Sequence, residues 1–356
     1  MQKIITIVGA RPQFIKAATL SRQFQKLGIE ELIVHTGQHF DANMSEVFFQ
    51  EMEIPKPTYQ LEIHGLTHGA MTGRMLEGIE NILINEKPDG VLVYGDTNST
   101  LAGALAAAKL HIPVIHIEAG LRSFNMAMPE EINRILTDRI SDYLFCPTDT
   151  AIQNLEREGF KNFQTKILKN GDVMQDAAIY YAEKAEKKSN ILSKLNLPTF
   201  ILATIHRQEN TDSPENLRNI IKGLNEINLQ IPVIVPIHPR TRNILSLQNI
   251  QPEFNLIDPV GYFDMIMLLK KCELVITDSG GVQKEAFFFE KYCITLREQT
   301  EWVELVKNGF NMLTGSNPEK LNAAFEFFKT KKSDFSINLY GKGLAAENAA
   351  NEILKF

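Results

Sequence analysis

VLVYGDTNSTLAGALAAAKLHIPVIHIEAGLRSFNMAMPEEINR, residues 91–134, is the stretch that decides the fold of this chain. It contains two short apolar runs that each lead into an acid: Val91–Tyr94 precedes Asp96, and Val114–Ile117 precedes Glu118. The segment between them is rich in Ala and Leu and long enough for a crossover helix, so the pattern predicts a β-α-β unit with parallel strands. Ligands of open parallel sheets bind at the carboxyl ends of the strands. We therefore expect both acids at a ligand site.

A third acidic position and two arginines belong to the same stretch. Glu130 and Glu131 open the helix predicted after a proline, Arg134 lies about one turn further on, and Arg122 follows the second strand. Each acid alone has a simpler explanation, because carboxylates often cap helices or complement the helix dipole. That explanation suits Glu118 poorly, since Ala and Gly follow it. Acids grouped beside arginines predict proton transfer next to a bound anion.

Length and composition narrow the class of protein. The chain has 356 residues, 44% of them hydrophobic, which is enough for two domains with full cores. A net charge of −6 argues against nucleic-acid binding, and no apolar run approaches the ~20 residues that span a bilayer. The three cysteines, Cys146, Cys272 and Cys293, are far apart in apolar contexts. We expect them to be buried free thiols in a cytoplasmic protein.

The amino-terminal part predicts an anion site without a nucleotide fingerprint. Lys3–Val8 reads as a buried strand, and a helix follows it to about Leu27. Free amide groups at the helix start, with Arg11 and Lys16, favour an anion. The chain contains neither GxGxxG nor GxxxxGK[ST], which argues against a nicotinamide enzyme and a P-loop NTPase. His64 and His68 have no further ligand at metal spacing, so no metal site is expected.

The second half repeats the strand-and-helix pattern after a charged helical segment at 172–195. Predicted strands at Thr199–Ile205 and Pro232–Ile237 lead into His206 and His238. Two consecutive α/β halves predict two Rossmann-like domains, 1–171 and 172–342, facing each other across a central cleft.

DSGG at 278–281 is the second informative motif. It follows the predicted strand Leu274–Thr277 and opens a helix, which would place free backbone amides against a phosphate. Glu285 lies about one turn into that helix, where it can accept hydrogen bonds from ribose hydroxyls. An ordinary turn is the competing interpretation. The offset of Glu285, with histidines at neighbouring strand ends, favours nucleotide binding.

Seven motifs in order resemble the non-hydrolysing UDP-N-acetylglucosamine 2-epimerase family over essentially the whole chain. They are GARPQFIK, YGDTNST, HIEAGLRS, PEEINR, HRQEN, HP and DSGGVQKE. The resemblance implies a glycosyltransferase-B-like fold in which the second domain holds UDP and a carboxyl-terminal helix, 343–356, packs back on the first. It also implies a homodimer and requires neither a cofactor nor a metal.

The resemblance further implies inversion at C2 of a UDP-sugar by elimination and re-addition of UDP through a glycal intermediate. Such a route needs acids and bases on both sides of C2 and cations for the departing diphosphate. The residues that match the catalytic positions of the family are Asp96, Glu118, Glu130 and His206. Those that match its UDP- and sugar-binding positions are Arg11, Lys16, Arg122, Arg134, His238, Ser279, Gly280, Gly281 and Glu285.

Several motifs depart from the commonest family pattern. TERPE is here TEWVE at 300–304, GTRPE is GARPQ, and HRREN is HRQEN. A QHRE-type segment is replaced by QHFD at 38–41. UDP-N-acetylglucosamine is the expected substrate of the family. The variants resemble the subgroup that acts on UDP-2,3-diacetamido-2,3-dideoxyglucuronate for surface polysaccharide. A glycosyltransferase on the same fold is the alternative activity.

Overall fold

The computed structural model describes residues 2–38, 49–50, 53 and 55–355, and for Arg11 the backbone alone. The chain divides into two compact units. The first comprises Met1–Ala177 with Asn338–Phe356, and the second comprises Ala178–Ile337. His39, Phe40 and Asp41 of the variant QHFD segment lie outside the described residues.

In its described part, the first unit is built on a parallel sheet of seven strands in the order β3-β2-β1-β4-β5-β6-β7. The strands are β1 (Lys3–Val8), β2 (Glu30–His35), β3 (Tyr59–Gln60), β4 (Gly90–Tyr94), β5 (Val114–Ile117), β6 (Tyr143–Cys146) and β7 (Lys166–Lys169). The central strands β4 and β5 are fully buried and, apart from His116, apolar, as expected of a parallel sheet covered on both faces.

Helices join these strands and cover the sheet. They are α1 (Arg11–Leu27), α2 (His68–Glu86), α3 (Asn98–Lys109), α4 (Pro129–Ile140), α5 (Asp149–Arg157) and, at the end of the chain, α15 (Ala345–Ile353). Helix α6 (Val173–Lys188) follows β7 and continues from the first unit into the second at Ala178. Helix α3 is the crossover predicted from the Ala-rich segment, and its small side chains allow close packing against α2. β4 and β5 pair in parallel, with Val91 opposite Val114.

The last helix belongs to the first unit. α15 packs against α1, and Asp176 of α6 accepts hydrogen bonds from the amides of Ala345 and Ala346 at 3.2 and 2.7 Å. Burial raises the pKa of Asp176 to about 6, although the two amides oppose that shift. The side chain therefore caps the start of α15 and ties it to α6.

The second unit contains a parallel sheet in the order β10-β9-β8-β11-β12-β13. Its strands are β8 (Ile201–Thr204), β9 (Val233–Pro236), β10 (Asn255–Ile257), β11 (Leu274–Thr277), β12 (Cys293–Thr295) and β13 (Asn311–Leu313). Its further helices are α7 (Ile191–Leu195), α8 (Gln208–Thr211), α9 (Pro214–Asn228), α10 (Pro239–Leu247), α11 (Tyr262–Lys271), α12 (Gly280–Phe288), α13 (Val303–Lys307) and α14 (Pro318–Thr330).

The predicted α/β class with parallel sheets is confirmed. The helical segment predicted at 172–195 is, however, two helices, α6 and α7. The chain breaks at Ser189, whose hydroxyl donates to Asp264 at 2.5 Å and accepts from the amide of Ile191 at 3.3 Å. A serine that bonds locally in this way competes with the helical backbone and favours a helix end.

Both sheets follow the Rossmann strand order, in which the connections reverse direction beside the first strand of the sheet. The reversal lies between β1 and β4 in one unit and between β8 and β11 in the other. The strand ends there lead into Gly9 and Gly95 in the first unit, and into Ile205 and Asp278 in the second. Ligands of such sheets bind at these points, so both predicted motifs lie where the topology favours a site.

Among the described residues, no helix has the length and apolarity required to cross a membrane. The same residues contain no group of three or more His, Cys, Asp or Glu placed to hold a metal ion. The three cysteines are buried and free, as predicted.

Candidate active site

Two ion pairs, one buried and one partly exposed, lie at the carboxyl edge of the first sheet. Lys16 of α1 contacts the carboxylate of Glu118, which follows β5, and Arg134 of α4 contacts that of Asp96, which follows β4. The side chains of Lys16 and Glu118 are 8% and 10% exposed, whereas that of Asp96 is 31% exposed. The structure thus groups two predicted acids with two predicted cations at one sheet edge.

Gly95 lets the two acid-bearing loops approach each other. Its φ is 62°, and a Cβ built there would lie 3.2 Å from Lys16 Nζ and 3.3 Å from Glu118 Oε2. Any other residue would be strained and would press on the ion pair. Glu118 itself has a φ of 72°, a conformation that is uncommon for a side chain of its size. Strained backbone of this kind is concentrated at functional sites.

The two glutamates that open α4 have different environments. Glu131 is fully buried and accepts hydrogen bonds from the amides of Ser123 and Phe124 and from Arg134, at 2.6–3.1 Å. Glu130 is exposed. Glu131 therefore holds the 121–125 loop onto the helix, and Glu130 is the member of the pair that solvent or a ligand can reach.

Arg122 is placed differently from the expectation that it contacts substrate. It is 3% exposed, and its guanidinium donates to Asp138 and Glu158 at 2.7 Å and to the carbonyl of Leu121. Since Nε and both terminal nitrogens have partners inside the protein, the geometry favours a structural role for Arg122 over contact with a diphosphate.

Side-chain amides also form hydrogen bonds around Asp96. Asn133 of α4 donates to the backbone carbonyl of Asp96 at 2.9 Å and to the side chain of Asn98 at 3.3 Å. Asn98 in turn lies 3.2 Å from Nδ1 of His68. His68 therefore takes part in a hydrogen-bond network at this edge.

Asp278 organises the corresponding edge of the second unit. It is fully buried and accepts from the amides of His206 and Arg207 and from the side chain of Asn210, at 3.0–3.2 Å. Its carboxylate also lies 3.0 Å from His206 Nδ1. Burial alone would raise the pKa of Asp278, but His206 and these donors outweigh burial and hold it below its ordinary value. A buried anion thus fixes the exposed His206 on its loop.

At the start of α12, the side chain of Ser279 caps one backbone amide, and the space around Gly281 is open. Ser279 caps the helix by accepting from the amide of Val282 at 3.5 Å. A Cβ at Gly280 would lie 2.3 Å from Glu301 Oε1, so no side chain fits there without movement, whereas one at Gly281 would meet no described atom within 4 Å. The helix start is therefore accessible at Gly281, as a phosphate site requires.

Three further residues of the second unit that the sequence analysis named are buried or make contacts within that unit. Glu285 is only 7% exposed within α12. His238 caps α10, its Nδ1 accepting from the amide of Arg240 at 3.2 Å. Trp302 of the variant TEWVE motif is buried, and its ring centroid lies 4.3 Å from the ammonium of Lys284. Arg11 begins α1, but its side chain lies outside the described part of the chain.

The sequence analysis missed Asp138, which holds His116, Arg122 and the amide of Gly120, and it did not assign a role to Glu131. Glu131, Arg134 and Asp138 recur at spacings of three and four and share one buried face of α4. This spacing was the available signal, because charges on the buried face of a helix need partners. Asp278 is the first residue of DSGG, yet only the three residues after it were assigned to the site.

Fold and site together define a glycosyltransferase-B-like α/β enzyme, with ionised side chains and an open helix start at the reversal points of its sheets. The model of the UDP-N-acetylglucosamine 2-epimerase family matches residues 22–354. The chain belongs to that family, and the protein is an epimerase, as the motifs predicted.

Individual relatives are similar to this chain over nearly their whole length. The chain is 57% identical to a UDP-2,3-diacetamido-2,3-dideoxy-D-glucuronate 2-epimerase of Pseudomonas aeruginosa, with 99% of each chain covered. It is 51% identical to a UDP-N-acetylglucosamine 2-epimerase homolog of Methanococcus maripaludis, with 96% of each covered. The crystal structure of Methanocaldococcus jannaschii UDP-GlcNAc 2-epimerase in complex with UDP-GlcNAc and UDP matches with a TM-score of 0.92, 44% identity and complete coverage of both chains.

Replacing Asp278 by Asn should destabilise the protein in a pH-dependent way. A buried carboxylate that accepts several hydrogen bonds contributes about 2–3 kcal/mol. Because its folded-state pKa is lowered, this contribution is complete above the ordinary aspartate pKa and is lost as the pH falls through the lower folded value. The thermal unfolding midpoints of the wild-type protein and of Asp278→Asn should be measured at several acidic pH values, and they should converge at the lowest pH.

The matched control is Asp212→Asn, which removes an exposed carboxylate paired with Arg240. An exposed pair contributes less than about 1 kcal/mol to the free energy of unfolding. The thermal unfolding midpoint of Asp212→Asn should therefore differ little from that of the wild-type protein at any pH. Equal effects of the two substitutions would contradict the role given to Asp278.

Proposed function

We propose that this protein inverts C2 of a UDP-activated 2-acetamido sugar by eliminating UDP and adding it back through a glycal intermediate. The observation that carries the proposal is the pair of acids, Asp96 and Glu118, each in contact with its own cation at the carboxyl edge of the first sheet. The family of the chain and the full-length match to a structure with UDP-GlcNAc and UDP support it.

The chemistry follows from the substrate. The C2 hydrogen of such a sugar is not acidic, so its removal has to accompany the breaking of the C1–oxygen bond to UDP. One carboxylate takes the C2 proton while UDP leaves, which forms a C1–C2 double bond. A second side chain that already carries a proton then gives it to C2 on the opposite face and is left ionised, while UDP adds back at C1. Asp96, Glu118 and the exposed Glu130 are the candidates for these two transfers.

Cations are needed while the diphosphate departs. Lys16 and Arg134 are already held beside the reacting carboxylates, where they can interact with a second anion. In the second unit, the amides at the start of α12 are proposed to bind phosphate and Glu285 the ribose. His206, held by Asp278 and exposed, would contact the diphosphate or the transferred proton.

Two substrates fit the proposal. The relative with 57% identity acts on a diacetamido uronate, and the TEWVE variant of this chain buries Trp302 where the common family motif has an arginine. These observations favour UDP-2,3-diacetamido-2,3-dideoxyglucuronate over UDP-N-acetylglucosamine. We further propose that the enzyme acts in the cytoplasm in the synthesis of a surface polysaccharide.

Incubation with each UDP-sugar in heavy water should place deuterium at C2 of the substrate and of its epimer, as read by NMR and mass spectrometry. Asp96→Asn and Glu118→Gln should lower the exchange rate by roughly 10²–10⁴, the usual contribution of general acid or base catalysis. Asp149→Asn, at an exposed ion pair with Lys169, is the control and should exchange at the wild-type rate. Sugar transfer to an acceptor without C2 exchange would indicate a glycosyltransferase instead.

Gly281→Ala tests the phosphate site. The new methyl group would meet no described protein atom within 4 Å, and the helix should tolerate alanine at least as well as glycine. Stability should therefore hold, while the affinity for UDP, measured by calorimetry, should fall by about tenfold or more because the ligand loses close approach. Gly73→Ala, in α2 with equally open surroundings, is the control. Unchanged UDP affinity in Gly281→Ala would place the phosphate elsewhere.

We also propose a homodimer. Four large apolar side chains are exposed on α4 and the loop before it, an arrangement that favours a protein contact: Phe124, Met126, Ile132 and Leu136. Light scattering should give about twice the chain mass of 40.3 kDa. Leu136→Lys should shift the protein towards monomer, and Leu229→Lys, at an exposed leucine of the second unit, should not. A monomeric wild type would refute the dimer.

A further inference from the structure

His116 is a polar side chain buried among apolar residues at the centre of the first sheet. It is the third residue of β5, VIHI, and is completely buried. A polar side chain in that position needs hydrogen-bond partners, and His116 has one on each ring nitrogen. Nδ1 lies 2.7 Å from Asp138 Oδ1, and Nε2 lies 2.8 Å from the carbonyl oxygen of Gly95.

The two partners determine the protonation of the ring. A backbone carbonyl only accepts, so Nε2 carries a proton. Asp138 is the second partner, and its other oxygen already accepts from Arg122 at 2.7 Å and from the amide of Gly120 at 3.1 Å. Burial alone would raise the pKa of Asp138, but His116 and Arg122 outweigh burial and hold it below its ordinary value. The carboxylate is therefore ionised, and Nδ1 donates to it as well.

The position of this pair connects the two acid-bearing loops. The carbonyl that His116 holds belongs to Gly95, the residue immediately before Asp96. The amide that Asp138 holds belongs to Gly120, two residues after Glu118. The same carboxylate is anchored by Arg122, which is itself held by Glu158. One buried imidazolium–carboxylate pair therefore ties the loop that carries one acid to the loop that carries the other.

We infer that His116, held as an imidazolium by Asp138, is a positioning residue that sets the spacing and direction of Asp96 and Glu118. Proton transfer at one carbon from opposite faces depends on this spacing, and displacements of about 1 Å at such sites reduce turnover roughly a hundredfold. An ordinary buried core histidine would need just one donor and would not have to carry charge. The inference rests on the proposed function for its kinetic consequence, but the charge of the ring can be measured without it.

His116→Gln tests the role, because the amide supplies a donor for the Gly95 carbonyl without the positive charge. We expect kcat for epimerisation to fall roughly a hundredfold, while KM stays within about threefold since no substrate contact is removed. His111→Gln, at an exposed histidine just before β5, is the matched control and should keep wild-type kinetics. Wild-type kcat in a folded His116→Gln variant would overturn the inference.

NMR of the wild-type protein with ¹⁵N-labelled histidine provides a second readout that needs no variant and no substrate. The ring of His116, recognised by slow solvent exchange of its protons, should show two protonated nitrogens near neutral pH. One protonated and one bare nitrogen would overturn the inference whatever the heavy-water experiment shows. Two protonated nitrogens in a protein that exchanges no C2 hydrogen of either UDP-sugar would refute the proposed function and leave the buried imidazolium established.

Discussion

Opposite charges held away from water at the carboxyl edge of the first sheet are the constraint on which that unit's site depends. Lys16 with Glu118 and Arg134 with Asp96 are each at least partly buried, and Arg122 with Asp138 is completely buried. Removing one member of a buried pair leaves an uncompensated charge, at a cost of about 3–5 kcal/mol. The loops that carry the acids are therefore held by electrostatics as well as by backbone hydrogen bonds.

Helix α4 is the element that distributes these charges. Its buried face presents Glu131 to the preceding loop, Arg134 to Asp96 and Asp138 to His116 and Gly120. Its opposite face carries the exposed Ile132 and Leu136. One helix thus supports the acids on one side and presents an apolar surface on the other, so the proposed dimer contact would lie close to the proposed catalytic groups.

The two sheets share one topology, but the acids at their strand ends have different environments. In the first unit the strand ends carry acids that remain partly accessible, such as Asp96. In the second, the acid at the equivalent strand end, Asp278, is buried and holds backbone amides, so that His206 and the start of α12 are presented instead. This division fits an enzyme in which one unit handles protons and the other binds the nucleotide.

By itself, the sequence determined the α/β class, the parallel strands, the acids at their ends and the family, because apolar runs, crossover length and ordered motifs are local or linear features. The motif match selected Glu130 over Glu131, but the sequence did not show that Glu131 is the buried one of the two, or that Arg122 is bound internally. Neighbours on a helix point about 100° apart, and packing of the whole unit decides which one is buried. Only the tertiary structure brought His116 to Gly95 and Asp138, since their contacts join residues about 20 positions apart and depend on strand register and helix placement.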